Sequence, residues 1–234
     1  MTTTMQRDWV LGTSVSTDHN RDRQLVRFVA RHGIVSIEHA MRELAVGRTA
    51  AYRRVATCIE AGLLERLELL RDEPSLLRAT REGLRYAGLE GLKVAEVSPG
   101  GVEHWLRSTS TAQLLAAHFG PERVRTEREL VFAEQLAERP LASAVMGRLP
   151  GGKPRLHRPD LVIVGDERPI CVEVELTPKA PRRLEAIICA WRDARWVREV
   201  HYHCAPGQTR RAVERVVLRA GAGGRVGIGE AVSR

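Results

Sequence analysis

Residues 158–176 read RPDLVIVGDERPICVEVEL. Two apolar runs, 161–164 and 170–176, flank a turn containing Gly165 and Pro169 and are rich in β-branched residues, which predicts an antiparallel β-hairpin. Side chains alternate along a strand, so Glu173 and Glu175 share one face while Val172, Val174 and Leu176 share the other. Asp160 stands at the mouth of the first strand. Burying an unpaired carboxylate costs several kcal/mol, so three acids in such apolar surroundings call for cations, donors or solvent. If Asp160 lies beside Glu173, the oxygens of Asp160, Glu173 and Glu175 suit Mg²⁺ or Mn²⁺. Such an ion activates water and neutralises charge on a scissile phosphate. The alternative is that Asp160 ends a turn and the two glutamates form the solvated face of an edge strand.

Upstream, TERELVFAEQLAER (126–139) spaces Thr126 and Glu129 as a capping box, with Leu130, Phe132, Ala133 and Leu136 as apolar contacts. Glu129 thus has a structural role, whereas Glu127 is not accounted for this way. Residues 146–159, MGRLPGGKPRLHRP, read as a Gly/Pro/basic loop. Within it, Gly147 to Lys153 matches GxxxxGK, but Pro154 replaces the hydroxyl residue of a phosphate-binding loop and opposes a helix there. Downstream, Leu184, Ile187, Ile188 and Trp191 repeat at helical spacing and predict a helix covering the sheet, with Arg182 and Arg183 at its start. WVREVHYHCAP (196–206) alternates as a strand, putting Cys204 opposite His201 and His203, which argues against zinc. A further helix over GQTRRAVERVVLRAG and a last strand in GRVGIGEA complete this half.

The amino-terminal half has a different rhythm. Leu25, Phe28 and Val29 predict a helix stopped by Gly33, and Ser36 caps a second one over 37–44. A third, RTAAYRRVATCIEAGLL, puts Ala51, Val55 and Ile59 on one face and Thr49, Tyr52, Arg53 and Thr57 on the other. LLERLELLRDEPSLLRAT reads as a hairpin turning at Asp72-Glu73-Pro74, and Thr80 caps a short final helix. Residues 96–101, EVSPGG, predict a linker, and 102–119 a bridging helix with Leu106, Leu114, Leu115 and Phe119 apolar and His104 near its start. The expected organisation is a flexible 1–20, a first domain over 21–95, and a second over 102–234.

The chain has 234 residues and a net charge of +8, with a pI near 10.0. That field favours polyanions, of which nucleic acid is the commonest for a basic protein lacking membrane features. No apolar run reaches the roughly 18 residues of a membrane span. No secretory signal is visible, which points to the cytoplasm. The four cysteines (58, 171, 189, 204) form no CxxC pair and read as reduced core residues.

Three helices, a tight second-to-third connection and a hairpin over 21–90 resemble a winged helix-turn-helix, whose third helix enters the DNA major groove. The resemblance implies that Arg48, Thr49, Tyr52 and Arg53, with Arg54, face double-stranded DNA; a solvated face in a protein-binding winged helix is the alternative. Pro159-Asp160, then Glu173-Val174-Glu175, preceded by a helix beginning Glu127-Arg128-Glu129-Leu130, resembles the PD-(D/E)xK (restriction-endonuclease-like) superfamily. It implies an α+β/α/β fold with a mixed sheet flanked by helices, Asp160 and Glu173 as ligands of Mg²⁺ or Mn²⁺, and Glu127 as a supporting acid. The superfamily's lysine is replaced by Glu175, as ligand or water orienter, and Lys179 is placed to return an ammonium. The whole arrangement is similar to the replication-relaxation family of actinobacterial plasmids and mobile elements. The expected activity is metal-dependent DNA cleavage, by a homodimer. A non-catalytic transcription or plasmid-maintenance regulator is the rival.

Overall fold

The computed structural model describes residues 17–68, 75–96, 98–165 and 167–231, with side chains from residue 20. They divide into two compact units, one ending at Ser110 and one beginning at Thr111. Of the segment 1–20 expected to be flexible, residues 1–16 lie outside the described residues and 17–20 instead open the first helix, while the Asp72-Glu73-Pro74 turn lies entirely outside them. Among the described residues no helix is long and apolar enough to cross a membrane.

The first unit begins with α1 (Thr17–His32), which buries Leu25, Val26, Phe28 and Val29 and stops at Gly33, whose φ of +82° favours glycine. Strand β1 (Ile34–Val35) follows. Ser36 then caps α2 (Ile37–Leu44), accepting from the His39 amide while the His39 ring accepts from the Ser36 amide. Helix α3 (Arg48–Glu60) buries Ala51, Val55 and Cys58, with Ile59 half-buried. Strands β2 (Leu64–Leu67) and β3 (Leu76–Ala79) pair antiparallel, and β1 joins the far side of β3. Thr80 caps the short α4 (Arg81–Tyr86). Gly83 on α4 is required for close packing, because a Cβ there would lie 2.0 Å from the Leu63 carbonyl oxygen.

Where a linker was expected, Pro99–Gly101 forms a single 3₁₀ turn leading into α5 (Val102–Phe119). The division of the chain falls inside α5 because Val102 and Leu106 pack with Ile34 and Leu76 of the first unit. Apolar residues early in α5 therefore belong to the first core, and Leu115 and Phe119 to the second. Leu114, also apolar, is 55% exposed.

The second unit is built on a five-stranded mixed sheet of order β10-β9-β8-β7-β4. Strands β4 (Val124–Thr126), β7 (Leu161–Ile163) and β8 (Ile170–Glu175) are antiparallel, while β9 (Glu199–Cys204) and β10 (Val226–Glu230) continue parallel to β8. The unit is thus mixed α and β. One sheet face presents Leu161, Ile163 and Val172 with Val124 to Ala112, Leu115 and Phe119 of α5. The other face carries Val162, Cys171, Val200, Tyr202 and Cys204 under α7 (Pro181–Asp193) and α8 (Gln208–Arg219), whose Leu184, Ile187, Ile188, Trp191, Val213 and Val216 form the larger core.

The capping box at α6 (Glu127–Ala137) forms as expected, with Thr126 accepting from the Glu129 amide and Glu129 accepting from the Thr126 amide. Leu136 of α6 was expected to pack but is 71% exposed. The segment expected as a loop is instead a two-stranded hairpin, β5 (Ala144–Arg148) and β6 (Pro154–His157). Its start is fixed by Glu134, a buried α6 carboxylate that accepts from the amides of Leu141, Ala142 and Ser143 and from the Ser143 hydroxyl.

Candidate functional site

Glu173 and Glu175 project from β8 onto the face that carries α7, and both are buried, each 4% exposed. Leu161 is in register with Val172, so Asp160, one residue before β7, stands at the level of Glu173. Asp160 accepts a 2.7 Å hydrogen bond from the Val174 amide, and its own carbonyl accepts the Glu127 amide at 2.9 Å. The first turn of α6 is thereby attached to the mouth of the site through backbone, while the Glu127 side chain is exposed.

Each buried glutamate meets a cation or donor. Glu173 Oε1 lies 2.7 Å from His157 Nε2 and accepts from Trp191 Nε1 at 3.1 Å. The His157 and Trp191 rings meet edge to face at 5.7 Å. Glu175 Oε2 is paired with Lys179 Nζ, the ammonium that the sequence placed near the site. Desolvation raises the Glu175 pKa; Lys179 opposes this, while Glu173 and Asp160 add to it. Desolvation pulls His157 down, but the Glu173 carboxylate more than reverses it and leaves its pKa raised. Tyr202, in register with Glu173 on β9, is buried, and burial pushes its pKa well up, with Glu173 and Glu175 adding to the rise.

The three expected acids are therefore within electrostatic reach of one another and of His157 and Lys179. Their all-carboxylate oxygen set has the hardness that Mg²⁺ or Mn²⁺ prefers. His157 and Lys179 sit on oxygens such an ion would use, and among the described residues no group of three or more His, Cys, Asp and Glu is arranged as a ready metal centre. The sequence missed His157 because it hid in a segment read as a loop, and missed Trp191 because its helical spacing showed only its packing role. Position supplied the one signal: His157 stands three residues before Asp160.

The Glu175–Lys179 pair makes a pH-dependent prediction. A carboxyl whose folded pKa is raised stabilises the fold below its ordinary value near 4.5 and penalises it as pH rises through the folded value. Removing Lys179 raises that folded value further. In Lys179→Met without divalent metal, urea denaturation at pH 8 should show a loss of roughly 2 kcal/mol, below the range for a fully buried pair because the lysine keeps 26% exposure. The loss should shrink as the pH is lowered toward 4.5, because protonation of Glu175 removes the buried charge.

On α3 of the first unit, Arg48, Thr49, Tyr52, Arg53 and Thr57 are exposed. Arg54 departs from the expectation: its Nη1 is 2.7 Å from Asp22 Oδ1 of α1, with both side chains 24% exposed. Helical rotation carries position 54 toward α1, so Arg54 is a brace between helices. Arg48 also reaches Glu38, at 3.4 Å and in solvent, where such a pair holds weakly.

The four cysteines are free thiols, with Cys58, Cys171 and Cys204 buried. His201 and His203 are only half-buried on β9, and Cys204 on the opposite face is buried. The GxxxxGK match falls on the β5–β6 turn, not between a strand and a helix. No protein-family model matches the chain, and no curated protein matches it significantly.

Proposed function

We propose that the chain is a double-stranded-DNA-binding protein, with a winged helix in its first unit and a PD-(D/E)xK-type core in its second, the latter a Mg²⁺- or Mn²⁺-dependent endonuclease. The observation that carries this reading is the gathering of Glu173 and Glu175 on one sheet face, with Asp160 held at the level of Glu173 and Lys179 returned beside Glu175. Asp160 and Glu173 would hold the ion and Glu175 would hold it or orient the water. When bound, the ion supplies an activated water and neutralises charge on the scissile phosphate. The chain's own groups prepare the site: Trp191 fixes the Glu173 carboxylate, the Val174 amide fixes Asp160, and Lys179 supplies positive charge.

A non-catalytic regulator with a degenerate core is the second reading. It is favoured by the pairing of Glu173 with His157 and of Glu175 with Lys179, which balances the buried charge internally. Incubation of supercoiled plasmid with the purified protein in Mg²⁺ or Mn²⁺ separates the two. Metal-dependent nicking supports the endonuclease, and its absence alongside intact duplex binding supports the regulator.

For the first unit, Arg53→Ala should weaken duplex binding by about 1–3 kcal/mol if Arg53 reads a base, or flatten the salt dependence by about one unit of slope if it grips phosphate. Arg54→Ala should mainly lower stability, through loss of the Asp22 contact. Fluorescence anisotropy and thermal melts of the two variants check the contrast.

A further inference from the structure

The β5–β6 hairpin and its flanks concentrate positive charge, of which Arg158 is paired with Glu134 at 3.4 Å. From Arg139 to Pro159 the chain has no Asp or Glu, yet contains Arg139, Arg148, Lys153, Arg155 and Arg158. A solvated surface usually intersperses both signs. Arg148, Lys153 and Arg155 are exposed at the outer part of the hairpin, with Leu149 48% exposed beside Pro150 at the turn.

The turn has a defined shape. The Leu149 amide donates to the Lys153 carbonyl at 2.7 Å and the Gly152 amide to the Leu149 carbonyl at 3.0 Å, with Gly151 and Gly152 at positive φ. Arg148 Nη1 donates to the Gly152 carbonyl at 2.6 Å. At the other end the ribbon is anchored: Ala144 is buried and His157 meets Glu173. Arg155 and His157 are two residues apart on β6 and so share a face, about 7 Å apart along the strand. That offset corresponds to about two base steps along a duplex axis, at roughly 3.4 Å per step.

We propose that the β5–β6 hairpin is a duplex-DNA grip of the second unit, in which Arg148, Lys153 and Arg155 hold phosphates and so present the neighbouring backbone to the acidic face. A two-stranded ribbon fits a DNA groove, and Leu and Pro are among the residues that groove-binding proteins insert between base steps. The proposal rests on the DNA-binding reading above but does not require cleavage.

The test is anisotropy of a labelled duplex with the full-length chain across a KCl series. The exposed triple variant Arg148→Ala/Lys153→Ala/Arg155→Ala should flatten the slope of log K against log salt by about 2–3, at about 0.9 per phosphate contact, with circular dichroism showing the fold intact. The charge-keeping Arg148→Lys/Arg155→Lys variant should retain the parental slope. A triple variant with unchanged slope, while Arg53→Ala still weakens binding, overturns the hairpin proposal and leaves the DNA-binding reading standing. A parent that binds no duplex overturns both. An unchanged duplex slope with lost binding to vesicles of acidic phospholipid reassigns the hairpin to a membrane surface and also overturns the proposal.

Discussion

On the endonuclease reading, Asp160→Asn is expected to abolish metal-dependent nicking of supercoiled DNA, by about a thousandfold or more, while leaving duplex binding near the parental level. The magnitude follows from the several kcal/mol of transition-state stabilisation that a bound ion provides, each 1.36 kcal/mol being about a factor of ten. Asparagine is the informative substitution. Asp160 accepts the Val174 amide, and alanine would leave that buried donor without its acceptor at a cost of about 1–3 kcal/mol. An asparagine carbonyl keeps the acceptor and removes the charge, so lost nicking with an unchanged melting temperature assigns the effect to chemistry. Timed agarose-gel assays at several Mn²⁺ concentrations, beside a thermal melt, supply both readings.

Trp191→Ala should be the most damaging single change to the fold, costing about 3–5 kcal/mol. Its side chain is fully buried among α7, β8 and β9, and the cavity would open in the larger core. The indole also donates to Glu173, so its removal leaves a buried carboxylate that, among the described residues, keeps His157 as its side-chain partner. Trp191→Phe keeps most of the ring and deletes only the donor, and should lose clearly less. Guanidinium denaturation followed by far-UV circular dichroism separates packing from hydrogen bonding by the difference between the two variants.

Much of the fold was legible because local chemistry and tertiary structure agree. Ser36, Thr80 and Thr126 each satisfy an orphan amide at a helix start, and each expected cap is found. The alternation in β8 and β9 placed the glutamates together and Cys204 opposite the two histidines. Other features depend on contacts that spacing does not encode. The β5–β6 hairpin was hidden by Gly147, Pro150, Gly151, Gly152 and Pro154, which break any period, and by an irregular register between Val145 and Arg148. Its anchor, Glu134, is an acid on the inward side of α6, and only the folded 141–143 backbone explains it. Arg53 and Arg54 look equivalent in sequence, yet a rotation of about 100° per residue sends one to solvent and the other to Asp22. In the site itself, the acids and Lys179 were readable, whereas His157 and the indole of Trp191 reach Glu173 from other elements of the second unit.

The endonuclease reading depends on Asp160 and Glu173 acting together as a divalent-ion site even though His157 and Lys179 stand beside them. Electron paramagnetic resonance of Mn²⁺ titrated into the metal-free protein tests this directly, because only free Mn²⁺ gives the sharp six-line signal. The prediction is that the parent removes about one Mn²⁺ per chain from that signal, and that Asp160→Asn and Glu173→Gln each abolish the uptake. Uptake that persists unchanged in both variants, or a parent that takes up none, would contradict the account.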